Sequence, residues 1–426
     1  MKSFLITTYL LLVITISYTQ NAVTIGTLRL EATYEHISVL YNISGDENRN
    51  SSLLIEYRPQ GTTAYLVGAK TLRAHPSSLV DGNTLGRNHL AGSAMFLEPN
   101  TTYDLRLTST DPDGGGDVET ITWQTKTELT PSVNGTIYYV APGNGGGNGT
   151  INNPYLGLQT AADNAAPGNI FLVMDGTYAP FTLTADGTNR NPIVFQSQNQ
   201  HQAIIDGGNT NRGIVNIGNF EQTTEEIIID GFIIQNGAWG INAENTAFLT
   251  IKNNIIRDVD FGFYNRRENG LERDQTIENN DFMGRTPWPA SGVPEERGID
   301  IRGNNNVVRY NTIQYFGDGI STDGRAFERS FSMDIHHNDI AYCPDDAIEV
   351  DYTVANTRIY RNRCYNTRTG VSVAPVFGGP CYIFRNEFFN QEDGFSVFKM
   401  NRGSSGLIMV HNTSNKLAYC HLPTEQ

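Results

Sequence analysis

Cysteine is scarce in this sequence: there are 4 in 426 residues, and all of them lie after residue 340. So few cysteines cannot hold a chain of this length in a disulfide scaffold, although a local pair can still oxidise. Charged residues make up only 18 %, which argues against a coiled coil and against charge-driven disorder. Basic residues number 30 against 45 acidic ones. A nucleic-acid binder normally carries a basic surface, so we expect no nucleic-acid partner.

Long apolar runs are also missing. The longest, Phe4 to Ile16, is shorter than a membrane span requires. Lys2 precedes this run and the small residues Ser17 and Thr19 follow it, a pattern that predicts a signal peptide over residues 1–19. An N-terminal membrane anchor is the alternative. No later segment is apolar enough to span a membrane, so we expect a secreted or cell-surface protein, and we expect it to act as a monomer.

Short alternating stretches fill residues 21–127. Ile37, Val39 and Tyr41 alternate with polar neighbours, and turn-forming runs such as residues 111–115 separate these stretches. Alternation with a period of two is typical of half-buried strands, and a region of this size matches an immunoglobulin-like sandwich. Because the region contains no cluster of ionisable residues, we interpret it as a spacer or docking module.

Residues 97–103, Leu-Glu-Pro-Asn-Thr-Thr-Tyr, resemble the fibronectin type III pattern Leu-x-Pro-x-Thr-x-Tyr. The resemblance implies a fibronectin III-like domain over residues 21–127, in which Tyr103 packs at a strand corner and bonds to the backbone. The tryptophan usual in an early strand of that family is replaced by Tyr41, while Trp123 lies in the last predicted strand.

A repeat of about 25 residues follows. The residue three before each repeat asparagine is apolar in all seven repeats, and the residue two after the asparagine is apolar in six of them. Each apolar cluster is too short for a helix and is bounded by Asn or Gly, which favours coils of β-strand over helical repeats. We therefore predict a parallel β-helix with stacked asparagines, a Greek-key sandwich being the alternative. The repeat asparagines are Asn254, Asn280, Asn311, Asn338, Asn362, Asn386 and Asn412.

The start of the repeat region, Tyr-Tyr-Val-Ala-Pro-Gly-Asn-Gly at 138–145 and Ile-Phe-Leu-Val-Met-Asp-Gly-Thr-Tyr at 170–178, resembles the opening segment of right-handed β-helix polysaccharide lyases of the pectate-lyase type. The resemblance implies an all-β chain with a right-handed parallel β-helix over residues 136–426, closed at its N-terminal end by a capping helix near residues 156–166. The sequence stops soon after the seventh repeat without a visible cap, which leaves open that further coils are missing.

Outward side chains of successive coils form ladders, so residues distant in sequence come to share one face. We align the coils on a third apolar position, given by Ile299, Ile320, Ile348, Val371 and Phe395. Neighbouring carboxylates repel one another unless a cation offsets their charge, and Ca²⁺ suits an exported, oxygen-rich site. We predict Ca²⁺ ligands at Asp345, Asp346, Glu349 and Asp351. Asp300, Asp318 and Asp323 are predicted on the same face, and the base-rich residues 352–402 are expected to form a panel beside it.

The lyase resemblance implies cleavage of an acidic polysaccharide by β-elimination: Ca²⁺ neutralises a uronate carboxylate, a basic side chain removes the C5 proton, and the glycosidic oxygen leaves. Lys399, the single lysine between Lys252 and Lys416, is the predicted base, with Arg361 and Arg363 as substitutes. The remaining predicted substrate contacts are a carboxylate clamp at Arg402, aromatic contacts at Trp288 and Tyr352, and the carboxylates Asp300, Asp318 and Asp323.

Several alternatives remain open from the sequence. The β-helix can be a non-catalytic adhesin that binds glycans, or a glycoside hydrolase with a carboxylate pair such as Asp318 with Asp346. His336 and His337 are either a proton donor near the acidic face or turn residues. Cys364 is predicted to be a buried apolar filler. Cys381 has two candidate disulfide partners, Cys343 and Cys420.

Overall fold

A computed structural model of the chain describes residues 21–80, 82–265, 272–322, 330–392 and 396–415. The predicted leader at 1–19, Asp323, Phe395 and Cys420 lie outside these described residues. The described chain is almost entirely β-strand, with two antiparallel sheets first and two long parallel sheets after them. The all-β class predicted from the sequence is therefore confirmed.

The N-terminal region forms two four-stranded antiparallel sheets, ordered β1-β2-β8-β5 and β10-β9-β3-β4, with a small β6-β7 hairpin. Alternate residues of these strands, among them Ile37, Val39 and Leu105, are buried between the sheets in one apolar cluster. The strands are β1 (Val23–Ala32), β2 (His36–Gly45), β3 (Ser52–Pro59), β4 (Leu66–Val67), β5 (Leu72–Ala74), β6 (Leu79–Val80), β7 (Asn83–Thr84), β8 (His89–Met95), β9 (Thr102–Thr110) and β10 (Gly116–Gln124).

Tyr103 is buried in this sandwich and its hydroxyl accepts a hydrogen bond from the backbone N–H of Glu98 at 2.9 Å. This bond is the one that the fibronectin III resemblance implies. Tyr41, which stands where that family has tryptophan, is also buried and donates its hydroxyl to Glu119. The antiparallel sandwich is thus present, while its assignment to the fibronectin III family stays a prediction.

The second region is a parallel β-helix. One parallel sheet, which we call the docking sheet because the sandwich packs on it, runs β12-β11-β13-β16-β18-β20-β22-β25-β28-β30-β32-β35. The second, which we call the branched sheet, runs β14-β17-β19-β21-β23-β26-β29-β31-β33-β36, with β15, β24, β27 and β34 as side branches. The elements are β11 (Thr136–Ala141), β12 (Tyr155–Leu156), α1 (Leu158–Asp163), β13 (Asn169–Val173), β14 (Gly176–Tyr178), β15 (Phe181–Leu183), β16 (Ile193–Ser197), β17 (Ala203–Gly218), β18 (Thr224–Asp230), β19 (Ile233–Glu244), β20 (Thr246–Lys252), β21 (Ile255–Asn265), β22 (Thr276–Glu278), β23 (Asp281–Gly284), β24 (Arg297–Asp300), β25 (Val307–Arg309), β26 (Thr312–Gln314), β27 (Asp318–Ser321), β28 (Phe331–His336), β29 (Asp339–Glu349), β30 (Ala355–Tyr360), β31 (Arg363–Ser372), β32 (Phe377–Phe384), β33 (Glu387–Phe389), β34 (Phe398–Lys399), β35 (Ser405–Val410) and β36 (Thr413–Ser414).

The apolar columns predicted from the repeat are in register. Ile251 pairs with Ile277, and the column continues coil by coil to Met409. The second column runs from Ile256 through Cys364 to Ser414. Residues of both columns belong to one continuous apolar core. Cys364 is fully buried in it, so its predicted role as a filler is confirmed.

The repeat asparagines form a hydrogen-bonded ladder along the coils, as the sequence predicts. Asn254 Nδ2 donates to Asn280 Oδ1 at 3.0 Å, and the same contact repeats at every step to Asn412. The backbone is left-handed at each of these corners, and the residue that adopts this conformation lies one position before the ladder asparagine. His337 and Arg361, for example, have φ of 55°. The ladder asparagine is needed for its side-chain bonds, so the strained conformation falls on its neighbour.

The helix α1 lies within the range predicted for a cap. It is a single short helix whose Leu158, Ala161 and Ala162 are buried in the β-helix core. Gln159 on its exposed side donates to Thr182 O of β15 at 3.1 Å. These contacts tie α1 to an early coil. Its function as a cap stays a prediction.

The sandwich packs against the outer face of the docking sheet. Leu40 and Ala91 of the sandwich share a buried apolar cluster with Phe331, Val354 and Ala355 of the β-helix. The sandwich is therefore held on the rod by its own apolar contact. Such a contact is compatible with the predicted role as a spacer or docking module.

A buried ion pair lies beside that apolar contact. Arg358 of β30 is fully buried and its guanidinium bonds Asp334 Oδ1 at 2.5 Å, Ser38 Oγ at 2.8 Å and Ser93 Oγ at 3.0 Å. His36 Nδ1 of the sandwich lies 2.9 Å from the other carboxylate oxygen of Asp334. Burial acts to raise the pKa of Asp334, but Arg358 and His36 outweigh it and lower that pKa.

Acid is expected to loosen this interface, because burial lowers the pKa of His89 from 6.5 to about 4. His89 lies 3.3 Å from Gly379 O of the β-helix. The unfolded chain takes up the proton first as the pH falls, so stability present above pH 6.5 is lost progressively between 6.5 and about 4. The full loss is about 3 kcal/mol. We expect the urea midpoint to fall from pH 7 to pH 5, and His89→Gln to flatten this slope. An unchanged slope in the variant would show that His89 stays accessible.

Candidate functional site

One outer wall of the β-helix collects most of the predicted site. Asp300 of β24 is in register with Ser321, Ser321 with Glu349, Glu349 with Ser372, and Ser372 with Lys399. Asp318 and Asp346 lie three residues before the members of this column on β27 and β29. We call the group Asp300, Asp318, Asp345, Asp346 and Glu349 the acidic wall.

The register corrects one detail of the sequence alignment. Val371 pairs with Phe398, whereas the sequence alignment placed Phe395 in that column. Both residues are phenylalanines, so apolar periodicity in the sequence does not choose between them. The corrected register brings Lys399 directly into the ladder that contains Glu349 and Ser372.

Three carboxylates of the acidic wall come close enough to share a cation. One oxygen each from Asp318, Asp345 and Asp346 lie within 4.8 Å of one another. Asp345 and Asp346 are consecutive but both reach the group, because the β29 register shifts between Cys343 and Asp346. Asp346 N also donates to Asp318 Oδ1 at 3.1 Å, which fixes the two coils together.

These carboxylates are held in an environment that disfavours their charge. Burial, with the neighbouring Glu349 and Asp346 carboxylates, raises the pKa of Asp318. Burial likewise raises the pKa of Asp345, and it raises that of Asp346 to about 6 against the opposing effect of Lys399. The Oδ1 atom of Asp346 is buried and accepts no hydrogen bond from the described residues. A cation at this group would satisfy that oxygen and offset the repulsion.

Lys399 is the cationic end of this arrangement. Its Nζ donates to Asp346 Oδ2 at 2.7 Å. Burial opposes its charge, but the adjoining Asp346 and Asp345 outweigh burial and raise the pKa of Lys399. The predicted base therefore lies at the acidic wall, and it carries its proton while both carboxylates are charged.

Glu349 and Asp351, the other two predicted metal ligands, lie next to the three-carboxylate group. Ser321 Oγ donates to Glu349 at 2.5 Å. Asp351 Oδ1 accepts from Ser372 Oγ at 2.9 Å and from Ala374 N at 2.5 Å. Burial and the Glu349 charge raise the pKa of Asp351 to about 7. Asp318, predicted as a substrate contact or as the partner of Asp346 in a hydrolase pair, is the residue that joins Asp345 and Asp346 instead.

Arg297, for which no role was predicted, lies among the carboxylates of the acidic wall. Its guanidinium lies 3.1 Å from Asp300, 3.5 Å from Asp318 and 3.7 Å from Glu349. A signal for it was available in the sequence. Arg297 lies two residues before the third apolar position of its coil, and Asp318 and Asp346 occupy the same place in the next two coils. Arg302 also pairs with Asp300, at 3.4 Å. Asp300 is fully buried between these two arginines and does not face an open groove.

The structure does not bring Arg361 and Arg363 to this wall. Arg361 lies at the asparagine corner with its guanidinium over Phe96 of the sandwich, at 5.7 Å. Arg363 pairs with Asp339 at 3.3 Å, at the opposite end of β31 from Ser372. Arg358 is buried under the sandwich, so the expected basic panel does not form. A coil of about 25 residues turns fully around the rod, and charges close in sequence therefore face different sides.

The remaining predicted residues lie around the rim. Arg402 donates to the Tyr352 hydroxyl at 2.6 Å, next to Asp351. Trp288 is half-buried in the inserted segment after β23, and the backbone of that segment is bound by Arg368, which donates to Gly292 O at 2.8 Å. His336 does not face the acidic wall: it is buried and stacked on Tyr360 at 4.6 Å. It is therefore a packing residue and not a proton donor at this site.

Cys343 and Cys381 are buried free thiols, so the predicted pairing between them is wrong. Cys343 lies on β29 of the branched sheet and Cys381 on β32 of the docking sheet. Within the described ranges, no helix has the length and apolar character needed to cross a membrane.

Comparison with known proteins supports the fold. A family model described as right handed beta helix region matches residues 239–418. Pectate lyase PEL9 of Emericella nidulans is 30 % identical over 137 residues, which covers 28 % of this chain and 32 % of that protein. The chain thus matches about a third of the length of this curated relative.

Two solved structures are similar in part. An alginate lyase from Paenibacillus sp. str. FPU-7 has a TM-score of 0.47 at 16 % identity, covering 61 % of this chain and 93 % of that one. The catalytic domain of a GH87 α-1,3-glucanase has a TM-score of 0.24 at 10 % identity, covering 91 % and 92 %. The family-model match, together with the continuous parallel sheets, shows that the second region of the chain is a right-handed parallel β-helix.

Proposed function

We propose that the chain is an exported, Ca²⁺-assisted polysaccharide lyase that cleaves uronic-acid-containing glycans by β-elimination. One observation carries the proposal: a compact group of three carboxylates, Asp318, Asp345 and Asp346, stands in direct contact with the amine of Lys399. The match to a pectate lyase agrees with this chemistry. The fibronectin III-like character of the sandwich and the signal peptide belong to the same proposal.

The carboxylate group fits calcium in size and chemistry. Ca²⁺ binds oxygen ligands at about 2.3–2.6 Å, so oxygens on opposite sides of one ion lie about 5 Å apart. The three oxygens within 4.8 Å of one another meet this requirement, and the buried Asp346 Oδ1 lacks a hydrogen-bond donor among the described residues. Glu349 adjoins them as a further ligand. When bound, Ca²⁺ supplies positive charge that neutralises the carboxylates and polarises the uronate carboxyl group of the substrate.

Side chains at the acidic wall carry out the proton transfer and position the reacting groups. Asp346 orients Lys399, whose Nζ takes the C5 proton after its own proton has passed to solvent. The C5–H electron pair forms the C4=C5 double bond, the C4–O bond breaks, and the leaving oxygen takes a proton from water. Arg297 holds Asp300 and Glu349 in place beside the group. The net charge of −15 repels a polyuronate, so binding requires cationic help at the wall.

Removal of calcium tests the proposal directly. We expect absorbance at 235 nm, from unsaturated sugar ends, to grow on polygalacturonate or alginate with Ca²⁺, to stop in EGTA and to return when Ca²⁺ is restored. Asp345→Asn and Asp346→Asn should weaken Ca²⁺ binding measured by calorimetry, while Asp339→Asn, a carboxylate on the same strand but outside the wall, should not. Product formation that is indifferent to EGTA would contradict the calcium assignment.

The same assay separates the other two candidate functions. Reducing ends without 235 nm absorbance would indicate a hydrolase that uses paired carboxylates. Retention on immobilised glycan with no product of either kind, across acidic and neutral polysaccharides, would indicate an adhesin. Either result overturns the lyase proposal.

A further inference from the structure

We propose a second carbohydrate subsite on the same wall, in the groove beside Trp239, that holds a distant part of the glycan chain bound at the acidic wall. The inference rests on the proposed function, because it extends the same substrate path toward the N-terminal coils. No residue of the acidic wall lines this groove.

The groove has a volume of about 670 Å³ and is open to solvent along one side. It lies where β15, β17 and β19 pass one another, with α1 at one edge. Its lining combines an aromatic ring with polar side chains, which is the usual composition of a site for a sugar with apolar C–H faces and hydroxyl edges. The residues used below are Arg212, Gly213, Asn216, Trp239, Asn242 and Glu244.

Trp239 provides a fixed platform. Its ring is half-buried and stacks on Tyr264 of the next coil, with ring centroids 5.7 Å apart and planes inclined by 12°. The residue in register with Trp239 on the preceding coil is Gly213. A Cβ there would lie 2.3 Å from Asn216 Oδ1 and 2.8 Å from Asn242 Cβ, so a side chain at this position would close the floor of the groove.

Asn242 supplies an independent sign of a ligand. It is 6 % exposed and its Nδ2 donates to Asn216 Oδ1 at 3.3 Å. Its Oδ1 is buried at the groove and accepts no hydrogen bond from the described residues. A buried acceptor without a donor is unfavourable, and a sugar hydroxyl at this position would donate to it. Arg212, exposed on the rim, is placed to pair with a uronate carboxylate.

The strand register connects the groove to the acidic wall. Trp239 pairs with Phe261 on the next coil. Phe263 pairs with Ile299, so Phe261, two residues earlier, lies beside Arg297. Arg297 in turn pairs with Asp318. Asp346 lies over Asp318 on the following coil. Trp239 and Asp346 thus occupy one column, four coils apart, or about 19 Å at 4.8 Å per coil. One coil advances the wall by a distance comparable with one sugar ring, so only a glycan of several sugars touches both places.

The subsite predicts an effect that depends on chain length. Trp239→Ala should weaken binding of a uronate decasaccharide about tenfold and raise the KM of the polymer equally, with kcat unchanged. A trisaccharide cannot bridge the two places, so its kinetics should not change. Trp239→Phe keeps an aromatic platform and should recover most of the affinity, which separates loss of the platform from misfolding. Trp123→Ala, in an exposed tryptophan of the sandwich, is the matched control.

Binding is measured by affinity electrophoresis and calorimetry in EGTA, with polygalacturonate, alginate and a neutral xylan as separate arms, so that turnover plays no part. Weaker binding of any of these glycans in Trp239→Ala and Asn242→Ala, but not in Trp123→Ala, supports the subsite even if no lyase activity is found. Equal polymer binding by Trp239→Ala and the unchanged protein, or an equal rise in the KM of the trisaccharide, overturns it. Failure of the proposed function appears separately, as absent 235 nm product from the unchanged protein.

Discussion

Lys399→Ala is expected to lower kcat on polyuronate by about 10²–10⁴-fold, the range of a lost general acid–base group. Among the residues that the structure describes, Lys399 is the lysine that contacts the three-carboxylate group, and its Nζ lies 2.7 Å from Asp346. Alanine removes both the proton acceptor and a positive charge near the substrate carboxylate. The 235 nm assay at saturating Ca²⁺ measures the effect, with KM and kcat determined separately.

Two further variants sharpen this result. Arg363→Ala removes a cation from the start of β31, at the end opposite to Ser372, which pairs with Lys399. This variant is expected to leave kcat within twofold, because Arg363 pairs with Asp339 and not with the acidic wall. Lys399→Arg keeps the charge, but a guanidinium holds its proton more tightly than an amine does, so this variant should restore substrate binding without restoring turnover. Full activity in Lys399→Ala, with Ca²⁺ binding intact, would remove Lys399 from the reaction.

Arg358→Met is expected to cost about 3–5 kcal/mol of unfolding free energy, because it leaves the Asp334 carboxylate buried without its main partner. Arg358 is fully buried and also bonds Ser38 and Ser93 of the sandwich. The loss should therefore appear first as release of the sandwich from the docking sheet. Scanning calorimetry is expected to show a separate early transition in the variant.

The matched control is Arg385→Met, which removes an exposed arginine from a neighbouring coil and should change stability by less than about 0.5 kcal/mol. The double variant Arg358→Met with Asp334→Leu removes both charges and should recover much of the loss, since a buried pair can often be replaced by apolar residues at little cost. A double variant as unstable as the single one would place the stabilisation in shape and packing instead of charge.

The sequence was sufficient for the β-helix because its coils repeat the same local chemistry. Each asparagine bonds its successor, and each apolar column packs on itself, so a period near 25 residues predicts the register from Asn254 to Asn412. The predicted register is wrong at the last coil, where the apolar pattern aligns Phe395 with Val371 but the structure pairs Val371 with Phe398. Loop length at a β-helix corner is not encoded in the apolar pattern, and two phenylalanines three residues apart satisfy that pattern equally well.

The site was predicted only in part, for a related reason. Asp345, Asp346 and Lys399 were placed on one wall correctly, but the third member of the carboxylate group is Asp318 and not Asp351. Strand alternation predicts that consecutive residues face opposite sides, and the register shift in β29 breaks that rule at Asp345. Arg361 was predicted near the site from its charge alone, whereas its position in the coil turns it toward Phe96.

The amide ladder also makes the rod sensitive to chemical ageing. Asn338 Nδ2 donates both to Asn362 Oδ1 and to Val308 O, and the other ladder asparagines from Asn254 to Asn386 repeat this double donation. Spontaneous deamidation of one rung would turn two donated bonds into contacts between oxygens and would bury a new negative charge. Tight stacking protects the rungs while the coils stay closed, so the lifetime of the folded rod depends on how seldom a coil opens.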